Sequence, residues 1–408
     1  MRSLTTPAGR RHTTLTLVAA IALVTNAGRA FAQERLGTTR YVVASPTIES
    51  WSFGDGLLQR TLRGDTVRLG SATQLSLPVA AEMWFGDRWQ LGAAAAFVDE
   101  RVSLDARDAG LGVSEYRLQD LTDVKVAFTA HVLPDRFLVT VGLNVAPSGT
   151  ELEPEEIEAV RVFAAPSLSV GVPSLGLGNA ATAGVVYARK LGSWGMALGG
   201  SYEHRTGSTP LVIASGFPAL DFNPSDAVHL SLGTEGLVGP HAMTVGLSAD
   251  VFSDDDYSSG GQQITSARTR LGPILTGEWQ LRVATQRLRE LTVYLTDRYR
   301  MQYSRAGAKV PESSANYLDV GANGVAPLSP RTGLVMGVVL RHQTGASADS
   351  GVASAAARVG GATLGLRYQR GSYTLEPVVR AQLGRLDTGI ATANVREIVG
   401  AISLTRRF

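Results

Sequence analysis

From about residue 39 to the end of the chain, apolar and polar residues alternate with a period of two, the pattern of strands with one apolar and one polar face. Phe137, Val139, Val141, Leu143 and Val145 form one such face, and Leu138, Thr140, Gly142, Asn144 and Ala146 form the other. Met243, Val245, Leu247, Ala249 and Val251 oppose Thr244, Gly246, Ser248 and Asp250 in the same way. Segmenting on this pattern predicts sixteen strands, near 39–53, 67–85, 89–101, 114–133, 136–147, 178–191, 194–205, 226–238, 241–253, 268–283, 288–303, 314–326, 331–344, 356–370, 372–384 and 394–408. A count of 12 to 14 stays open: losing the first segment and that near 314–326 would leave fourteen and release residues 33–66 as a luminal plug.

The connections alternate in length. Gly86-Asp87-Arg88, Pro134-Asp135, Gly192-Ser193, Gly239-Pro240, Pro327 to Pro330 and Gly371 are tight, and a slightly longer turn lies near 284–287. Between them come long polar stretches near 102–113, 148–177, 206–225, 254–267, 304–313, 345–355 and 385–393. Short turns on one rim and long loops on the other describe an all-β protein, a transmembrane antiparallel β-barrel of the outer-membrane type, with short periplasmic turns, long extracellular loops and both termini on the periplasmic side. Trp84, Phe85, Trp89, Phe137, Trp194, Tyr368 and Tyr373 all fall close to a tight turn, as an aromatic girdle at one membrane interface would. The chain ends on Phe408, on the same face as Ile398, Ile402 and Leu404. This resembles the terminal signal read by the bacterial barrel assembly machinery, although Arg406 stands where that pattern favours an apolar or aromatic residue.

The first 32 residues carry Arg2, Arg10 and Arg11, then an apolar run from Leu15 to Val24, then Arg29 and the small-residue site Ala30-Phe31-Ala32. This is the layout of a cleaved secretory signal, leaving 33–408 as a single exported barrel domain in the bacterial outer membrane. The apolar run is too short to span a bilayer, which needs about 20 residues. Composition agrees with a folded domain: 44% of residues are apolar, 18% are charged, and there is no cysteine to form a disulfide framework. Formal net charge is only +2, and the leader's four arginines account for that excess, so no electrostatic footprint for nucleic acid remains.

If the apolar rows face lipid, the opposite rows face the lumen, because a charge on the lipid side at mid-bilayer costs about 2–4 kcal/mol. The candidate pore-lining residues are Arg68, Glu82, Lys125, Glu203, Arg205, Asp250, Arg270, Glu278, Arg282, Arg298, Arg300, Arg341, Arg367, Glu376 and Arg380, joined by Asp123, Glu235 and Asp319. Such density fits either a hydrated, conducting lumen or an ion-pair lattice bracing a narrow one, and the near balance of sign sets no ion preference. The apolar stretch 211–222, with Leu211, Ile213, Phe217 and Phe222, is a candidate gating loop, folded into the mouth as packing or left outside as a capture surface. The acidic runs Glu151, Glu153, Glu155, Glu156, Glu158 and Asp254 to Asp256 lack calcium-loop spacing and read as solvated loops, so no metal site is expected.

Neither a His-Glu-x-x-His nor a Gly-x-Ser-x-Gly motif is present, and Gly176-Leu177-Gly178 precedes a strand rather than a helix, so neither an enzyme nor a cofactor is expected. His131 and His229 fall on inward rows, and a hydrolase with a Ser/His pair spread across strands would leave no local motif. The regions 116–151 and 175–205 resemble the transporter-like outer-membrane proteins grouped with phenol meta-cleavage pathways, which are themselves similar to FadL-type channels for hydrophobic compounds. The shared features are Asp120-Leu121 entering a strand, Pro147-Ser148-Gly149 ending one, and Leu175-Gly176-Leu177-Gly178 before another. Gln119 departs from the glycine that family tends to place there, and the likeness does not extend beyond residue 206. The resemblance implies passive uptake of small hydrophobic or aromatic solutes, with outer-membrane lipid and lipopolysaccharide as surroundings. A general hydrophilic porin and a non-transport barrel are the other readings.

Overall fold

The computed structural model describes residues 40–408 apart from 62–64, 87, 106–113, 134–135, 147–151, 166–167, 169, 173–177, 212–219, 260–261, 265–267, 286, 346–355 and 388–390. The predicted leader, 1–32, lies outside these residues.

Sixteen strands close into one antiparallel barrel. They are β1 (Tyr41–Ala44 continuing as Thr47–Arg60), β2 (Thr66–Phe85), β3 (Trp89–Leu104), β4 (Glu115–Leu121 continuing as Val124–Leu133), β5 (Phe137–Val145), β6 (Ala180–Leu191), β7 (Trp194–Arg205) and β8 (Ala227–Val238). The second half comprises β9 (His241–Phe252), β10 (Ile274–Arg282), β11 (Glu290–Arg300), β12 (Ala315–Pro327), β13 (Thr332–Gly345), β14 (Ala356–Arg370), β15 (Tyr373–Asp387) and β16 (Thr392–Arg407). Each strand pairs with the next in sequence, and β16 closes on β1 with Tyr41 opposite Arg407 and Thr47 opposite Ala401. Residues 41–60 are therefore wall rather than plug. Closure removes the sheet edge that would otherwise leave backbone groups unsatisfied in lipid. β1 is interrupted at Ser45-Pro46, where proline has no N–H for the ladder and the Ser45 N–H instead donates to the Pro78 carbonyl at 3.0 Å.

The period-two rows sort by side. In β5 the odd row, Val141, Leu143 and Val145, is exposed to the outside, whereas Leu138 and Thr140 are buried inside. Val338, Leu340, Leu364, Leu383 and Ile398 continue an apolar outer belt around the wall. A surface of this kind is stable against acyl chains and not against water, so the barrel is a transmembrane one of the outer-membrane type. On the rim of short turns the belt ends in Phe85, Tyr187, Tyr368, Tyr373 and Phe408, with Trp89 stacked on Phe128 at 5.2 Å. Trp194 also lies on the outer side, flat over Gly236, where an added Cβ would meet the ring at 2.4 Å. Trp84 departs from the girdle: it points inward, donates Nε1–H to Glu82 at 3.0 Å and packs against His131 at 4.9 Å. Arg406 faces outward and lays its guanidinium over Tyr373 at 5.2 Å and Phe408 at 4.3 Å.

The long stretch expected as loop at 148–177 contains a helix, α1 (Pro154–Phe163). Its start is a capping box in which Glu153 and Glu156 exchange bonds with each other's backbone N–H, and Pro154 supplies the fixed φ favoured in a first turn. The acidic run is thus a helix start and not a solvated loop, and Glu158 is buried and paired with Arg161 at 3.0 Å. At the long-loop rim, Ser208–Leu211, Leu220–Asn223, Asp256–Ser259 and Gln262–Gln263 form a small separate sheet, and Thr269–Arg270, Ser304–Arg305 and Ala308–Lys309 form another.

Candidate functional site

The lumen holds two layers of opposite character. Toward the long-loop rim the inner face is apolar: Trp51, Phe53 and Leu57 from β1, Val67, Leu69 and Ala72 from β2, and Tyr116 and Leu118 from β4. Val359, Leu386 and Val395 from β14 to β16 complete that arc. Into it fit Ala159, Val162 and Phe163 of α1, with Leu168 behind them, and the Phe163 ring meets Trp51 edge-on at 6.1 Å. The segment after α1 descends further, so that Val172 packs on Ala96 and Val98 of β3. This plug was invisible as such in the sequence.

Why the plug leans on this side of the wall follows from β4. At Thr122-Asp123 the strand breaks; Thr122 bonds reciprocally with Ala96, and Asn144 donates to Asp123. Beyond the break, Glu115–Leu121 pairs with β3 alone, because β5 ends at Val145. Among the described residues its second edge pairs no strand, and α1 packs against it from within.

Below the apolar layer lies a polar one. Gln74 Nε2 donates to Glu100 at 2.6 Å and to the Val172 carbonyl at 2.9 Å, and Gly171 N–H donates to Glu49 at 3.4 Å. A Cβ at position 171 would stand 2.8 Å from the Glu49 carboxylate. Arg341 forks onto Asp319 at 2.9 and 3.3 Å, and Arg380 reaches Glu397 at 2.8 Å. A small cavity opens between the layers, lined by Trp51, Leu168, Val359 and Leu386 above and Arg341, Gln382 and Glu397 below.

The predicted inward residues distribute as follows. Lys125, Glu203, Arg205, Asp250, Glu278, Arg282, Arg298, Arg341, Arg367, Glu376 and Arg380 share register faces with buried inner neighbours. Many are paired: Arg205 with Glu203 at 2.6 Å, Asp250 with His229 at 2.8 Å, and Arg367 with Glu290 at 3.0 Å and with Glu376. Arg298 stands over the Tyr317 ring at 5.9 Å, Arg300 is buried and bonds the Ser313 carbonyl at 3.4 Å, and Glu82 is buried near the short-turn rim. Glu278 is exposed although it faces inward. Two residues differ. A bulge between Leu69 and Ser71 resets the parity of β2, so Arg68 falls on the face opposite Val67 and Leu69 and donates to the Asp55 carbonyl at 2.8 Å. Arg270 belongs to the loop sheet above the rim, where it pairs with Asp254.

Of the candidate gating loop, Ile213 and Phe217 lie outside the described residues. Leu211 and Phe222 sit in the small loop sheet, Phe222 against Tyr257 at 5.0 Å. Asp226, in the coil before β8, is partly desolvated, yet hydrogen bonds from Tyr202, the Arg205 N–H and His204 outweigh that and hold its carboxyl below the usual range. No cluster of metal-ligating side chains occurs among the described residues.

No protein-family model and no curated protein matches the chain. Solved structures similar to it are outer-membrane channels. They include OpdK from Pseudomonas aeruginosa, at 10% identity over 91% of this chain and 98% of that one with a TM-score of 0.47. An outer-membrane channel from Pseudomonas putida F1 is similar at 12% identity over 92% and 97%, TM-score 0.39. The toluene transporter TbuX from Ralstonia pickettii is similar at 11% identity over 91% and 90%, TM-score 0.40.

Proposed function

We propose that this barrel is an outer-membrane channel for passive entry of small hydrophobic or aromatic solutes, oriented with its long-loop rim outward and its termini in the periplasm, after removal of residues 1–32. The observation that carries this reading is the apolar inner layer. Inward-facing Trp51, Phe53, Tyr116, Leu118 and Val359 make an oily lining, where a pore for hydrated solutes would need polar groups. Helix α1 fills that lining in the closed state with side chains of the same chemistry as the solute. A hydrophobic solute therefore competes for contacts that already exist, whereas an ion would have to shed its hydration to pass. The inner charges below, with pore-lining candidates such as Lys125, Glu278 and Arg380, form a hydrated vestibule toward the periplasm.

A hydrophilic pore is the second reading. It is favoured by exposed Glu278 and the polar inner row of β8 to β11, on the side away from α1. Liposome swelling separates the two: a hydrophilic pore admits arabinose at a rate that falls with sugar size, and the plugged apolar channel admits none. Terminal Phe408 is proposed as the assembly signal, and its deletion should lower the yield of inserted barrel while leaving export intact.

A further inference from the structure

The outer face changes character at the long-loop rim of β14 to β16. Passing up β15, the outward row reads Tyr373, Leu375, Val379 and Leu383, then Arg385. β14 gives Tyr368, Leu366 and Leu364, then Arg358, and β16 gives Leu404, Ile402 and Ile398, then Arg396. At ~3.3 Å per residue and a tilt of ~40°, the path from Tyr373 to Arg385 crosses ~30 Å of membrane normal. That matches the ~30 Å hydrocarbon core, so all three exposed guanidiniums stand where acyl chains give way to headgroups.

Register brings them together. Arg358 is directly opposite Arg385, and Arg396 is opposite Leu383, hence diagonal to Arg385. Like charges in opposite positions destabilise a sheet unless something neutralises them. The same rim shows what neutralisation looks like: Arg101 is also directly opposite an arginine, Arg117, and there Asp99 bridges both at 3.2 and 3.0 Å. Among the described residues no carboxylate bridges Arg358, Arg385 and Arg396 in this way.

We propose that Arg358, Arg385 and Arg396 bind the phosphate groups of lipid A in the outer leaflet. Guanidinium forks match phosphate oxygens two at a time, and the apolar wall immediately below, Leu364, Leu383 and Ile398, takes the acyl chains of the same molecule. Free phosphate would gain only the first contact. The site rests on the orientation proposed above and not on the choice of solute.

The test titrates the full-length barrel in neutral detergent with bisphosphorylated lipid A, following binding by native mass spectrometry. The triple variant Arg358→Gln, Arg385→Gln, Arg396→Gln should bind at least ~10-fold more weakly. A second variant keeps every arginine: Asn394→Asp places a carboxylate directly opposite Arg385 and two residues from Arg396, as Asp99 lies two residues from Arg101, and should also weaken binding several-fold. Equal affinity across wild type and both variants would overturn the site. Equal affinity for lipid A, dephosphorylated lipid A and inorganic phosphate would overturn lipid A as the occupant. Because the assay measures no transport, failure here leaves the solute reading standing, and the reverse holds as well.

Discussion

Replacing Phe163 by alanine removes the ring that wedges α1 into the barrel. The side chain is 4% exposed and sits edge-on to Trp51 at 6.1 Å, within the cluster that also holds Val162 and Leu168. A buried Phe→Ala change costs about 3–5 kcal/mol, of which an edge-to-face pair accounts for about 0.5–1.5. Phe163 belongs to the plug and to no wall strand, so the loss falls on docking of α1 and not on the hydrogen-bonded ladders that close the barrel. At about 1.4 kcal/mol per tenfold, a loss of 3 kcal/mol raises the undocked population by about two orders of magnitude. Single-channel recording in planar bilayers should therefore show openings that are rare in the wild type and frequent in the variant. Trp51→Ala should act similarly, and the double variant should fall short of the sum because both changes remove the same contact. A folded, heat-modifiable Phe163→Ala barrel with wild-type open probability would refute the plug as the barrier.

Arg406→Ala should lower barrel thermal stability slightly, by about 0.5–1 kcal/mol for cation–π contacts at an exposed site, measured by heat-modifiability on gels. Arg380→Gln leaves buried Glu397 without its cation and should shift the current through the opened Phe163→Ala background toward cations, read as a reversal potential in a salt gradient. Cysteines at Asp254 and Ser103 should label with an impermeant maleimide on intact cells, and one at Arg88 or Ser193 should not. Asp226 has a lowered pKa, so its contribution is present above the ordinary carboxylate value and is lost as pH falls through the folded value. Amide protection of Arg205 should thus weaken below about pH 4 and not between pH 5 and 8.

The wall was readable because lipid outside and a different medium inside force a strict alternation: all sixteen predicted segments fall on barrel strands, although β1 runs on to Arg60 where 53 was expected and β10 starts at Ile274 where 268 was expected. β7 and β14 match at both ends. Parity failed where the backbone breaks its own period. The bulge at Leu69–Ser71 inserts Gly70, a glycine inside a strand pattern being the only local sign of it, and it carries Arg68 to the other face. Trp84 was misplaced for a different reason: aromatic type and nearness to a turn do not say which side a ring faces, although its even-numbered row with Glu82 does.

Helix α1 carried a signal that the acidic residues masked. Glu153-Pro154-Glu155-Glu156 is a capping box with proline at the first position, and Ala159, Val162 and Phe163 follow at helical spacing. Read as charge alone, that stretch looks solvated. The apolar inner layer was harder, since Trp51, Phe53, Val67 and Leu69 make their strands apolar on the inward row, and only closure of the barrel shows that these rows converge on one another and on a loop more than 90 residues further along the chain.

The claim that the lumen serves hydrophobic solutes is tested most directly by the entry rate of radiolabelled toluene into cells with an intact lipopolysaccharide leaflet, with and without the barrel, measured beside a small sugar in the same cells. Toluene entry should rise with the barrel, rise further with Phe163→Ala, and be accompanied by no change in sugar entry in the wild type. Faster sugar entry with unchanged toluene entry would contradict the account and assign the barrel to hydrated solutes.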